Sequence, residues 1–302
     1  MGFAQHQSFH IRDGWLKKGL EEVKKDEGIF LDSEAYLKLG LGKNMVTALR
    51  FWMVATGLTE EISNQKRSHG QRLTHLGKLI LEKDPYFEDD GTLWLIHYNI
   101  VKNKDEATAW YWFFNRFNRQ SFDRDLFVKE LLAWNTTDRN KDIATASLEK
   151  DFDCFIKTYM PREKNSSPED TLESPLANLK LLNVDVSDKQ KKYYLNRPEP
   201  KLIPPLILLY VIKKYQEEKQ MDEKTNKIVS QLSLRDLLAS ECSPGRIFIL
   251  GMRLAEAIRQ ANESHPEFAF RFTRTNGLDV LTVPPVKAED ILNQHYLNYS
   301  YL

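Results

Sequence analysis

Apolar residues recur at helical spacing along most of this chain. In FHIRDGWLKKGLEEVKK (residues 9–25), Ile11, Trp15, Leu16, Leu20 and Val23 share one side while lysines and glutamates take the other, which predicts an amphipathic helix. Asp32 or Ser33 can cap a short second helix over SEAYLKLG. Gly40 and Gly42 then break the chain. A third helix is predicted from about Lys43 to Thr56, with Met45, Leu49, Trp52 and Met53 as its buried stripe and Gly57 as its stop. In TEEISNQKRSHGQRLTHLGKLILEKDP the middle is polar and carries Gly70, as a hairpin tip would. Thr74 then caps a helix ending before Pro85. Helix, short helix, glycine turn, helix and basic hairpin follow in the order of a winged helix-turn-helix.

Residues 92–134 differ. TLWLIHYNIV and ATAWYWFFNRFNRQSF hold much of the aromatic content and predict two packed helices. Such a block can stack nucleic-acid bases, but at helical spacing it reads as core. In ATASLEKDFDCFIKTYM, Leu148, Phe152, Phe155, Ile156 and Tyr159 share a face. REKNSSPEDTLESP reads as a loop, LANLKLLNVDVSDKQKKYYLNRPEP as a strand pair or wing, and LILLYVIKKYQEEKQ as a helix.

The end of the chain repeats the first theme. SLRDLLAS predicts a short helix, ECSPG a turn and RIFILGMRLAEAIRQANE a helix. FAFRFTRTNGLDVLTV alternates about Asn276-Gly277, a hairpin signal. The expected architecture is mainly α with small β-hairpin wings: two or three winged helix-turn-helix modules around an aromatic helical middle. The expected division is an N-terminal winged helix over 1–90, a helical middle over 91–220, itself a degenerate winged helix or not, and a C-terminal winged-helix-like domain over 221–302.

Composition narrows the function classes. Hydrophobic residues make up 41% and charged residues 28% of 302, the balance of a globular protein, and the formal net charge is zero. A uniformly basic, histone-like coat is therefore excluded, whereas a local basic patch is not. Cys154 and Cys242 form no CxxC pair or disulfide framework, which favours a reducing, cytoplasmic setting. The start, MGFAQHQSFHIRDGW, has no signal-peptide core. The longest apolar run, LIPPLILLYVI, is too short to span a bilayer.

The third helix raises the functional question. LGLGKN lacks the first Gly and the Ser/Thr of a phosphate-binding loop. Asn44, Thr47 and Arg50 recur every three residues opposite the apolar stripe, and Lys43 opens the helix. These side chains suit base edges and phosphates. Lys66, Arg67, His69 and Arg72 follow in the hairpin. From Lys38 to Lys78 there are seven Lys and Arg against Glu60 and Glu61, so the cations concentrate where a DNA-binding winged helix needs them. The competing reading is a solvated or partner-binding helix face. In the C-terminal module Arg246, Arg253, Arg259, Arg271 and Arg274 interleave with Glu256, Glu263 and Glu267, and Cys242-Ser243-Pro244 reads as a helix-start turn. The seven histidines show no HxxxH or HExxH pairing, so no metal and no cofactor is expected. Asp89, Asp90, Asp151 and Asp153 read as caps and surface charge. With no nucleophile–base pair visible, no catalytic residue is assigned and no enzymatic turnover is expected.

RLTHLGKLIL resembles the closing segment of many bacterial winged-helix regulators. SFHIRDGWLKKGL, LGLGKNMVTALRFWM, DPYFEDDGTLWLIHYNIV, the FNRQSF region and SPGRIF resemble a bacterial family known as domain-of-unknown-function family 4007, over nearly the whole chain. The resemblance implies a genomic setting beside phosphoadenosine-phosphosulfate-reductase-like enzymes, in DNA phosphorothioation or related anti-phage systems. It carries over no catalytic residues. The expected function is a DNA-binding accessory or specificity component of such a system, with double-stranded DNA as partner. The alternative is a non-catalytic scaffold for a sulfur-transfer enzyme or ATPase of the same system.

Overall fold

In the computed structural model, residues 2–63, 69–139, 142–161, 173–186, 191–219, 221–222, 227–275, 278–297 and 299 are described. The described chain is mainly helical with small antiparallel sheets, and it divides into two compact units, Met1–Asn196 and Arg197–Leu302.

The first unit opens with α1 (Trp15–Lys25), α2 (Ala35–Leu39), α3 (Lys43–Ala55), β1 (Thr59–Ser63), β2 (His69–Leu73) and α4 (His75–Lys83). α1 starts six residues later than the apolar spacing suggests. Gly14 holds a left-handed conformation, φ 75°, that turns the chain into the helix, yet Ile11 is buried ahead of it. Gly40 ends α2 in a Schellman turn: its N–H donates to Leu37 O and the Leu41 N–H to Tyr36 O. Gly57 ends α3 in the same way. Thr74 caps α4, its Oγ1 accepting from the Gly77 N–H at 3.0 Å. β1 and β2 pair antiparallel from Thr59↔Leu73 to Ser63↔His69. Gly70 lies within β2 opposite Ile62, not at the hairpin tip, which falls outside the described residues. The glycine is needed because β2 runs against the chain at Glu27. A Cβ on Gly70 would meet Glu27 O at 2.7 Å, and the Gln71 N–H donates to that oxygen.

The unit continues with α5 (Asp90–Lys102), α6 (Thr108–Asn115), β3 (Ser121–Phe122), α7 (Arg124–Arg139), α8 (Thr145–Tyr159), β4 (Leu182–Asp185) and β5 (Lys192–Leu195). The strands form one antiparallel sheet in the order β3-β5-β4. The aromatic block is core: Trp94, Trp110, Trp112, Phe113 and Phe114 are all buried. The Phe113 and Phe155 rings lie 4.5 Å apart, joining α6 to α8. Tyr159 donates or accepts a 2.8 Å hydrogen bond at His97 Nδ1, and burial pushes its phenol well above the usual range.

The second unit contains α9 (Pro205–Lys219), β6 (Met221–Asp222), β7 (Lys227–Ile228), β8 (Gln231–Ser233), α10 (Leu234–Ala239), α11 (Pro244–Ile247), α12 (Leu254–Ser264), β9 (Arg271–Thr275), β10 (Leu278–Thr282) and α13 (Ala288–Leu297). β9 and β10 pair antiparallel on either side of Asn276-Gly277, which lie outside the described residues, and β8 adds to the free edge of β10 in the order β8-β10-β9. The single helix expected over RIFILGMRLAEAIRQANE is instead two. Ile249 and Gly251 both take left-handed conformations, φ 55° and 52°, and divide α11 from α12. No helix is long and apolar enough to cross a membrane among the described residues.

Candidate nucleic-acid interface

α3 has a broad buried side. Leu49, Trp52 and Met53 are buried as the spacing requires, and Val46, Ala48 and Phe51 join them; Met45 is only half-buried. Trp52 is fixed in direction as well as depth, because its Nε1–H donates to Phe9 O at 2.9 Å. This anchoring leaves Lys43, Asn44 and Thr47 exposed on the other side and Arg50 half-buried. Thr47 Oγ1 donates back to Lys43 O at 3.3 Å. The Lys43 ammonium lies 5.1 Å from the centroid of the Tyr36 ring of α2.

The hairpin is tied to this helix by a buried polar link. Gln71 Nε2 donates to Arg50 O at 3.0 Å while Gln71 Oε1 accepts from Thr59 Oγ1. β1 also brings both acidic residues to the same neighbourhood. Arg50 pairs with Glu61 at 2.9 Å, and Arg72 pairs across the strands with Glu60 at 2.7 Å. Lys38 pairs with Asp32 at 2.6 Å, so the cationic excess counted along the sequence is reduced at three of its members. Lys66 and Arg67 lie outside the described residues, and His69 is described only as a β2 position facing Ser63.

Of the four carboxylates read as caps or surface charge, Asp89 caps α5, accepting from the Thr92 N–H at 2.9 Å, and Asp90 sits in that helix's first turn. Asp153 pairs with Arg124. Asp151 departs from the expectation: it is fully buried in α8. Its Oδ1 meets His6 Nε2 at 2.7 Å and accepts the Ala4 N–H at 2.8 Å. The Ser8 N–H lies 3.1 Å from His6 Nδ1, which leaves Nε2 facing Asp151. Burial pushes the Asp151 carboxyl above its usual range, against the opposing pull of the His6 and Ala4 hydrogen bonds. No local signal announces this pair, because its members lie 145 residues apart.

The family model for "Protein of unknown function (DUF4007)" matches residues 3–299. The chain belongs to this family. No curated relative matches. Two solved structures are similar to it, a magnesium ion-bound SspB crystal structure (TM-score 0.88) and an SspB crystal structure (TM-score 0.86). Each is 27% identical and covers 99% of this chain and 88% of the other. The family likeness foreseen from SFHIRDGWLKKGL and LGLGKNMVTALRFWM thus extends over almost the full length.

Proposed function

We propose that this chain binds double-stranded DNA through α3 and the β1–β2 hairpin, as an accessory or specificity component of a bacterial DNA-modification or anti-phage defence system. On this reading α1, α2, α3, the hairpin and α4 make a winged helix-turn-helix, with α3 as the recognition helix. β8, α10, α11–α12 and the β9–β10 hairpin repeat that order in the second unit. The observation that carries the reading is the exposure of Lys43, Asn44 and Thr47 along one side of a helix whose other side is fully committed to the core. The Arg50–Glu61 and Arg72–Glu60 pairs do not oppose it strongly. Exposed pairs contribute only about 0–1 kcal/mol, so a phosphate can displace the carboxylate. The phosphorothioation setting that the family resemblance implies favours DNA as the partner.

The presence of Glu60 and Glu61 beside the helix favours a second reading, a scaffold that binds a phosphoadenosine-phosphosulfate-reductase-like enzyme or another subunit through the same face. The magnesium named for one neighbour is not carried over. Magnesium takes carboxylate oxygens in an open, hydrated site. Here Asp89, Asp151 and Asp153 are already engaged, and no group of three His, Cys, Asp or Glu residues converges among the described residues.

Fluorescence anisotropy on duplex DNA at several salt concentrations tests the proposal. Lys43→Ala should weaken binding to every sequence and flatten the log-affinity slope against log salt by roughly one unit. Arg50→Ala or Asn44→Ala should cost about 1–3 kcal/mol at one base position if either reads a base edge. Identical affinities and slopes for folded variants would move the function to the scaffold. Nicking of supercoiled plasmid in magnesium, lost on Asp89→Asn or Asp153→Asn, would replace both readings with an enzyme.

A further inference from the structure

Arg12 lies in the turn that leads into α1, with only 9% of its surface exposed. Its guanidinium carbon is 5.5 Å from the centroid of the Phe9 ring and 5.5 Å from that of Trp15. Aromatic faces attract a cation but offer no lone pair to its N–H groups. Nε is buried without a hydrogen-bond partner. Neighbouring Asp13 is exposed and does not reach it. Arginine cannot relieve this by losing its proton. A buried charge without a counter-charge is unfavourable, and an orphaned buried donor asks for the acceptor that completes it.

A second feature lies beside it. The 11-residue α1 begins without a side-chain cap and without an acidic residue in its first turn. The positive end of its dipole thus carries no anionic side chain of its own first turn. The Trp15 N–H donates to Arg12 O, which closes the turn and holds Arg12 at the helix start.

We propose that Arg12 and the N-terminus of α1 form a binding site for a phosphate group. The planar fork of guanidinium donors matches two phosphate oxygens, and the helix start accommodates the same charge. The site does not depend on the DNA reading of α3. It is linked to that helix through Phe9, whose ring lies against Arg12 and whose carbonyl holds Trp52. The phosphate belongs either to a small ligand, inorganic phosphate or a mononucleotide, or to a nucleic-acid backbone.

The full-length chain should be titrated calorimetrically with inorganic phosphate, adenosine monophosphate and a short duplex, as wild type, Arg12→Lys and Arg12→Gln. Binding of at least one probe should weaken tenfold or more in both variants, because lysine keeps the charge and loses the fork. Saturation by the small probes assigns a small-ligand site, and binding of the duplex alone assigns a backbone contact. Phenylglyoxal modification of the wild type, mapped by peptide mass spectrometry, needs no variant: the bound probe should protect Arg12. Unchanged affinity in folded variants, no binding of any probe, or modification of Arg12 at the same rate with and without probe would overturn the site.

Discussion

Trp52 shows how one residue can fix an exposed helix face to which it does not belong. Its ring is wholly buried, packs edge-on against Trp110 at 5.3 Å, and is steered by the Phe9 carbonyl. Replacing it with Ala removes a large aromatic from a dense core, a change that costs about 3–5 kcal/mol. Urea denaturation should show that loss, and a change below about 1 kcal/mol would mean that the ring is not structural. Asp151 makes a different prediction. Its pKa is raised in the fold above the unfolded value of 3.8, so its charge costs stability at neutral pH. That cost is relieved as pH falls through the folded pKa toward 3.8. Asp151→Asn keeps an oxygen for His6 and Ala4 without the charge. The wild type should therefore gain stability relative to Asp151→Asn as pH is lowered from 7.5 toward 4, measured as paired urea midpoints. A gap that widens in favour of the variant would show that the charged carboxylate is the favoured form.

At the scale of elements, what was legible in the sequence followed local rules. Gly40, Gly57, Thr74 and Asp89 each make the cap or stop that their residue type suits. The exposed side of α3 was visible because a 3.6-residue period separates its faces. What was missed depends on contacts remote in sequence or on backbone conformations that residue type alone does not reveal. In FHIRDGW only Asp13-Gly14 marks a break, and the helical spacing of Ile11 and Trp15 runs across it, while Ile249 carries no signal for a left-handed turn. The Glu60 and Glu61 pairings depend on strand register, so a count along the chain could not assign them. Two tests belong here. Gly57→Ala should destabilise by more than about 1 kcal/mol, because φ is 71° and the new methyl meets Asn99 Nδ2 at 2.8 Å. Gly40→Ala has the backbone penalty, φ 59°, with only Lys18 Nζ at 4.0 Å beside the new methyl, so it should cost less; equal midpoints would refute the comparison. Glu61→Gln should release Arg50 and tighten DNA binding in the anisotropy assay. Weaker binding would show that the pair, intact, positions the helix.

At the scale of the whole molecule, neutrality is the governing fact. With 43 Lys and Arg against 43 Asp and Glu, the chain has no net charge to draw it toward nucleic acid at long range. At moderate salt only charges within roughly 10 Å of a phosphate act on it. On the proposed reading, DNA affinity therefore comes from one patch, not from cations summed over both units. The second unit repeats the helix and hairpin order, but the exposed side of α12 alternates in charge. Glu256 and Glu263 flank Arg259, and Gln260 donates to Glu256 at 3.2 Å. A phosphate approaching that side would meet two carboxylates for one guanidinium. Charge reversal separates the two helices cleanly. Lys43→Glu should lower duplex affinity and flatten its salt slope, whereas Arg259→Glu should change neither, with circular dichroism confirming that both variants are folded. If Arg259→Glu produces the larger loss, the nucleic-acid surface belongs to the second unit and α3 is the partner-binding helix.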